Sequence, residues 1–84
     1  MKINIKYFAS VRETLASDGE VLHLTHPQPT IADAIAALKN LSPNHAQALS
    51  HPRLSAALNL TMSQLTTALN DGDELALFPP VTGG

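Results

Sequence analysis

Asn70-Asp71-Gly72-Asp73-Glu74-Leu75-Ala76-Leu77-Phe78-Pro79-Pro80 reads as a turn, a strand and a forced stop. Asp71-Gly72 supplies the turn, because glycine accepts left-handed dihedrals and aspartate can bond its own backbone. Leu75 and Leu77 alternate with Ala76 and Phe78, which is the period of a strand. Pro79-Pro80 must end that strand, since proline has no N–H to give to a ladder. Val81-Thr82-Gly83-Gly84 follow, so the last strand feeds a short segment tipped by two glycines.

Outward from this strand, the same period appears at the other end of the chain. Ile3, Ile5 and Tyr7 alternate with Lys2, Asn4 and Lys6, predicting a strand over residues 2–8. Ser10-Val11-Arg12-Glu13 has the spacing of a capping box and predicts a short helix from about Ser10. Asp18-Gly19 predicts a turn, and Glu20 to Thr25 a second strand. His26-Pro27-Gln28-Pro29 is a stiff connector. Thr30 and Asp33 then cap the clearest helix. Its apolar face is Ile31, Ala34, Ile35, Leu38 and Leu41, and Pro43 is expected to end it. Asn44 to Ser50 fits a further short helix closed by His51-Pro52. Leu54 to Leu60 reads as a strand, and Thr61 to Thr67 as a polar stretch with a short strand or turn.

The order is strand, strand, helix, strand, strand. A chain of 84 residues is one domain, with room for one helix layer against one sheet. The expected class is α+β: a β-grasp, or ubiquitin-like, mixed sheet with one main helix packed across it and a projecting C-terminal tail. First and last strands would pair in the middle. The expected division is a β-grasp domain over residues 1–78 and a flexible Pro-Pro-Val-Thr-Gly-Gly tail over 79–84.

Composition narrows the function classes. A formal net charge of −2 argues against nucleic acid as partner. No run approaches the roughly 20 apolar residues that span a bilayer, and the alternating start lacks a signal-peptide core; the expected location is the cytoplasm. Charged residues are only 14 %, which leaves apolar surface for a partner to cover. There is no cysteine, which excludes disulfides, thiolate metal sites and thiol nucleophiles. Any sulfur handled by this chain would sit on a terminal carboxylate. A glycine carboxylate is the least hindered one available, because no side chain crowds its carbonyl carbon.

The residues from Asp71-Gly72-Asp73-Glu74 through Phe78-Pro79-Pro80-Val81-Thr82-Gly83-Gly84, together with Tyr7-Phe8-Ala9-Ser10-Val11-Arg12-Glu13 and Asn59, resemble the small subunit of molybdopterin synthase, the MoaD family. The resemblance implies a ubiquitin-like sulfur carrier. An ATP-dependent adenylating enzyme (MoeB-like) would activate the Gly84 carboxylate, and a sulfur donor would convert the adenylate to a thiocarboxylate. The tail, Pro79, Pro80, Val81, Thr82 and Gly83, would enter the large subunit (MoaE-like). There the sulfur would pass to a cyclic pyranopterin monophosphate precursor to build the molybdopterin dithiolene. The catalytic pocket is expected on that large subunit, in a heterotetramer, and no cofactor is expected on this chain.

Two glycines bury almost nothing, so docking needs another surface. Its candidates are Phe8, Arg12 and Phe78, since aromatic and arginine anchors dominate interface energetics. Core packing of the two phenylalanines, and a surface ion pair of Arg12 with Glu13 or a terminus, are the alternatives. His23, His26, His45 and His51 show no ligand spacing and no close carboxylate partner, so no metal site is expected. No hydroxyl has plausible triad partners. Other functions compatible with the tail are a carrier for another pathway such as thiamine thiazole, a ubiquitin-like protein modifier, and a binding module with an inert end.

Overall fold

The computed structural model describes residues 1–80. In chain order the elements are β1 (Lys2–Tyr7), α1 (Ala9–Leu15), β2 (Gly19–His23), α2 (Ile31–Lys39), α3 (Pro43–Ala48), β3 (Ser55–Leu58), β4 (Thr61–Ser63) and β5 (Glu74–Phe78). The strands form one mixed sheet in the order β2-β1-β5-β3-β4. The first and last strands are parallel neighbours at its centre, with Ile5 opposite Leu75 and Tyr7 opposite Leu77. This is the expected β-grasp layout.

Strand alternation decides which side is core. Ile3, Ile5, Tyr7, Leu75, Leu77 and Ala56 face inward and join Val11, Ile31, Ala34, Ile35, Leu38 and Leu49 in a single buried cluster. The three helices therefore serve one face of the sheet. α2 starts as its sequence predicts: the Thr30 hydroxyl accepts from Asp33 N, and the Asp33 carboxylate accepts from Thr30 N. Its remaining free donors are met by the segment after β4, with Ile31 N donating to Thr67 O and Ala32 N to Leu65 O. The polar stretch from Thr61 to Thr67 thus closes the end of a helix. Among the described residues, no helix is long and apolar enough to cross a membrane.

Four local expectations need correction. α2 ends at Lys39 with Asn40 as its cap, so Leu41 lies past the helix and is exposed. Pro43 does not stop α2; it opens α3 behind the Ser42 cap, where its missing N–H costs nothing. Ser10 caps no helix, because Phe8 N donates to Leu77 O and keeps the backbone extended to Phe8, so that α1 begins at Ala9. β3 stops at Leu58, because Asn59 and Leu60 both adopt positive φ and turn the chain into β4.

Gly19 is the first residue of β2 as well as part of the turn. A Cβ placed there would collide with the Ile5 carbonyl oxygen. Only glycine lets β2 approach β1 this closely.

Candidate docking face and tail root

The outward face of the sheet carries no helix among the described residues. On β1 it presents Lys2, Asn4 and Lys6, and on β5 Glu74, Ala76 and Phe78. Register extends this surface sideways. Ala57 lies opposite Ala76, Ser55 opposite Phe78, and Met62 opposite Ala57. Cross-strand partners share a face, so Phe78, Ala76, Ala57 and Met62 lie on one side.

Phe8 belongs to the same surface. Its backbone remains extended, with φ −131° and ψ 158°, one residue beyond Tyr7. Alternation therefore turns it away from the core, next to the end of β5. It is 48 % exposed and Met62 is 63 % exposed, whereas Phe78 is half-buried. Neither phenylalanine is a member of the core cluster. Small alanines between large apolar residues make a shallow apolar patch, and Phe78 stands immediately before Pro79-Pro80.

Arg12 lies one helical turn past Phe8, its N–H reaching Phe8 O at 3.4 Å. Among the described residues its guanidinium pairs with Asp18 at 3.5 Å and not with Glu13, and both side chains are largely exposed. Such a pair contributes little to stability, which leaves the arginine available to a partner. Of the tail residues named from sequence, Pro79 and Pro80 are described. Val81, Thr82, Gly83 and Gly84 lie outside the described residues.

Met62 was absent from the sequence-derived candidates. A methionine inside a polar run is the signal, but only the register of β4 on β3 shows which face it joins.

The helix side holds a polar series that the sequence reading missed. Tyr7 donates its phenolic hydrogen to Glu20 Oε2 at 2.6 Å, and His45 Nε2 meets the same oxygen at 2.8 Å. His45 Nδ1 lies 2.7 Å from Ser42 Oγ. So one histidine does have a close carboxylate partner, and one hydroxyl does stand in a Ser–His–carboxylate series. Ser42 Oγ is occupied as the α3 cap, accepting from His45 N at 3.1 Å. Because α3 buries none of its own residues, these bonds tie it to β1 and β2. Burial pushes the Tyr7 phenol far up, helped by its bond to Glu20. Burial would also raise Glu20, but the hydrogen bonds from Tyr7 and His45 outweigh it and hold the carboxyl below its ordinary value. Among the described residues, no group of three or more His, Cys, Asp or Glu is placed to hold a metal ion.

A central parallel pair of terminal strands in a five-stranded mixed sheet, with the helices packed on one face, defines a ubiquitin-like β-grasp domain. The chain matches the model of the ThiS family over residues 5–84 and belongs to that family. It is 38 % identical over 82 residues to the molybdopterin synthase sulfur carrier subunit of Escherichia coli, covering 98 % of this chain and 99 % of that one. It resembles the solved small archaeal modifier protein 1 of Haloferax volcanii at 29 % identity with a TM-score of 0.78, covering 95 % and 98 % of the two chains. The fold also matches a chain in the complex of subunits 1 and 2 of the molybdopterin-converting factor from Helicobacter pylori. That match has a TM-score of 0.69 and 24 % identity, with each chain fully covered.

Proposed function

We propose that this chain is the sulfur carrier of molybdenum cofactor biosynthesis, working in the cytoplasm where an ATP-dependent adenylating enzyme finds its nucleotide. The Gly84 carboxylate attacks ATP and releases pyrophosphate, giving an acyl-adenylate. A sulfide-equivalent donor then displaces AMP and leaves a thiocarboxylate. The large subunit receives Pro79 to Gly84, and the sulfur is transferred there to the cyclic pyranopterin monophosphate precursor. This chain binds no cofactor of its own; ATP belongs to the activating enzyme.

The observation that carries this reading is the placement of the tail root. β5 is the central strand, and its last residue, Phe78, shares the helix-free face with Ala76, Ala57 and Met62. Docking through Phe8, Phe78 and Met62, with Arg12 beside them, would hold residues 79–84 over a partner's channel. The family match runs through Gly84, and the similarity to the Escherichia coli carrier spans nearly the whole chain. The Helicobacter chain of the same fold was solved in a complex of subunits 1 and 2, which supports a second subunit as the partner of this chain, in a heterotetramer.

The test is incubation of the chain with the adenylating enzyme, ATP and a sulfur source. Intact mass should show one oxygen exchanged for sulfur, and fragmentation should place it on Gly84. Sulfur on any other residue, or no exchange, would overturn the proposal. Likeness to the archaeal modifier favours one second reading, in which a lysine amine captures the same adenylate and forms an isopeptide bond. Conjugates of higher mass that appear with ATP but without a sulfur source would identify that activity.

A further inference from the structure

Asn59 and Leu60 connect β3 to β4 as a two-residue hairpin, with Leu58 opposite Thr61. Their φ angles are 50° and 71°. Two left-handed residues in this position form the turn for which Asn-Gly is preferred. Asn59 suits it. Leu60 does not, because a Cβ in this region crowds the backbone. Nothing packed around the side chain offsets that strain, since Leu60 is 89 % exposed.

The turn is held by its neighbour. Asn59 N donates to Glu74 O at 2.8 Å, Glu74 N donates to Asn59 Oδ1 at 2.9 Å, and Asn59 Nδ2 donates to Asp73 Oδ1 at 3.0 Å. These three bonds clamp the hairpin to the start of β5. A strained residue persists where its surroundings over-determine it, and such residues gather at working surfaces. Here the result is an apolar side chain held out into solvent on a rigid mount. Asp71, Asp73 and Glu74 stand in or beside the clamp, and among the described residues none of them forms an ion pair.

We propose that Leu60 is a preformed anchor for an apolar socket, rimmed by lysine or arginine, on the large subunit that receives the tail. The proposal rests on the docking reading above and extends it. Met62, two residues on, already belongs to the outward patch, so the surface is continuous. Register sets the spacing: Phe78 lies opposite Ser55 at one end of β3, and Leu75 lies opposite Leu58 at the other, next to the hairpin. Phe78 and Leu60 therefore mark opposite ends of the central strand. One anchor at Phe78 would leave the sheet free to pivot. A second at the far end of β5 fixes the angle at which the tail enters its channel.

Strain makes the test clean, because glycine at position 60 removes the anchor and relieves the backbone together. Full-length Leu60→Gly, Leu60→Asp and Phe78→Ala chains are compared with the unaltered chain by thermal melting and by interferometry against the large subunit at low and moderate salt. Leu60→Gly should melt at or above the unaltered chain yet bind at least tenfold more weakly, chiefly through faster dissociation. Leu60→Asp should bind more weakly still, because it buries a charge in an apolar socket. Binding of the unaltered chain should weaken as salt rises. If Leu60→Gly binds within twofold of normal while Phe78→Ala is impaired, the anchor is refuted and the docking reading stands. If Phe78→Ala also binds normally, both fail. A marked fall in the Leu60→Gly melting temperature would make the leucine structural and overturn the proposal, and salt-independent binding would remove the basic rim.

Discussion

Replacing Phe8 with alanine should damage docking much more than folding, and the structure sets both magnitudes. Full burial of a phenylalanine side chain is worth about 1.5–3 kcal/mol. Phe8 is 48 % exposed, so roughly half of that gain is realised and the loss should be about 1 kcal/mol. In a domain of this size that corresponds to a fall of about 4–8 °C in Tm. Leu77, directly behind it in β5, is 0 % exposed, and Leu77→Ala should cost about 2–5 kcal/mol. Its Tm should therefore drop by at least about 8 °C. In the complex the order reverses. An aromatic ring at the centre of an interface is worth about 2 kcal/mol or more, or about thirtyfold in Kd. Circular dichroism melts of the free chains, run beside calorimetric titration against the large subunit, read both quantities. Equal melting of Phe8→Ala and Leu77→Ala would show the ring to be core. A Kd within about threefold of normal, far below the loss of a hot spot, would show that it is not an anchor.

Gly19→Ala should destabilise the chain by about 1–3 kcal/mol through overpacking, because its Cβ would meet the Ile5 carbonyl oxygen; urea unfolding that gives the unaltered midpoint would refute the close approach. Tyr7 is the sole tyrosine, so its ionisation can be followed by ultraviolet absorbance without interference. Its folded pKa is raised above the ordinary 10.0, so its contribution is complete below that pH. Above it, stability should fall by about 1.4 kcal/mol per pH unit while only the unfolded chain ionises. A phenolate signal at pH 10 from chain still folded by circular dichroism would contradict this. Glu20 has the opposite sign: its folded pKa is lowered from the ordinary 4.5. Its contribution is present above that pH and lost as pH falls through the folded value. Glu20→Gln should lower Tm at neutral pH and flatten the fall in Tm below about pH 4.5; parallel acid profiles would refute it.

Legibility followed sequence distance and register. Ile3, Ile5 and Tyr7, Leu75 and Leu77, and the Thr30–Asp33 box could be read because each is a local pattern enforced by one element's period. Leu41 could not. It continues the helical spacing of Leu38, but the chain leaves α2 at Asn40, where Leu41 N turns to Leu38 O at 3.0 Å. Periodicity does not report where hydrogen bonding changes. The Tyr7–Glu20–His45–Ser42 series was invisible for a different reason. His45 and Glu20 are 25 residues apart, and their meeting depends on how α3 settles on the sheet. The fate of the two phenylalanines depended on parity. One residue of slip would have placed Phe8 and Phe78 inside and Tyr7 and Leu77 outside. The hydrogen bond from Phe8 N to Leu77 O is what fixes that parity at the end of β1.

On the proposed function, the same parity would explain how a chain that contributes little but its C-terminal carboxylate could present that group accurately. β5 has β1 on one side and β3 on the other, and Leu75 and Leu77 are fully buried. The tail root is thus the end of a strand paired on both sides, where local opening is less favourable than at a sheet edge. Phe78 is at once the last residue of that strand and a member of the outward patch. On the proposed docking, a partner that grips Phe78 would grip the tail at its base, with no residues between the docking surface and the segment to be threaded. Each residue that must be ordered on threading costs about 1–2 kcal/mol, and an anchor further back would add to that number. Pro79 and Pro80 shorten it again, because their φ is fixed before binding. On this proposal, accuracy at the tip would follow from rigidity at the root, which is secured by residues in the core and on the sheet face.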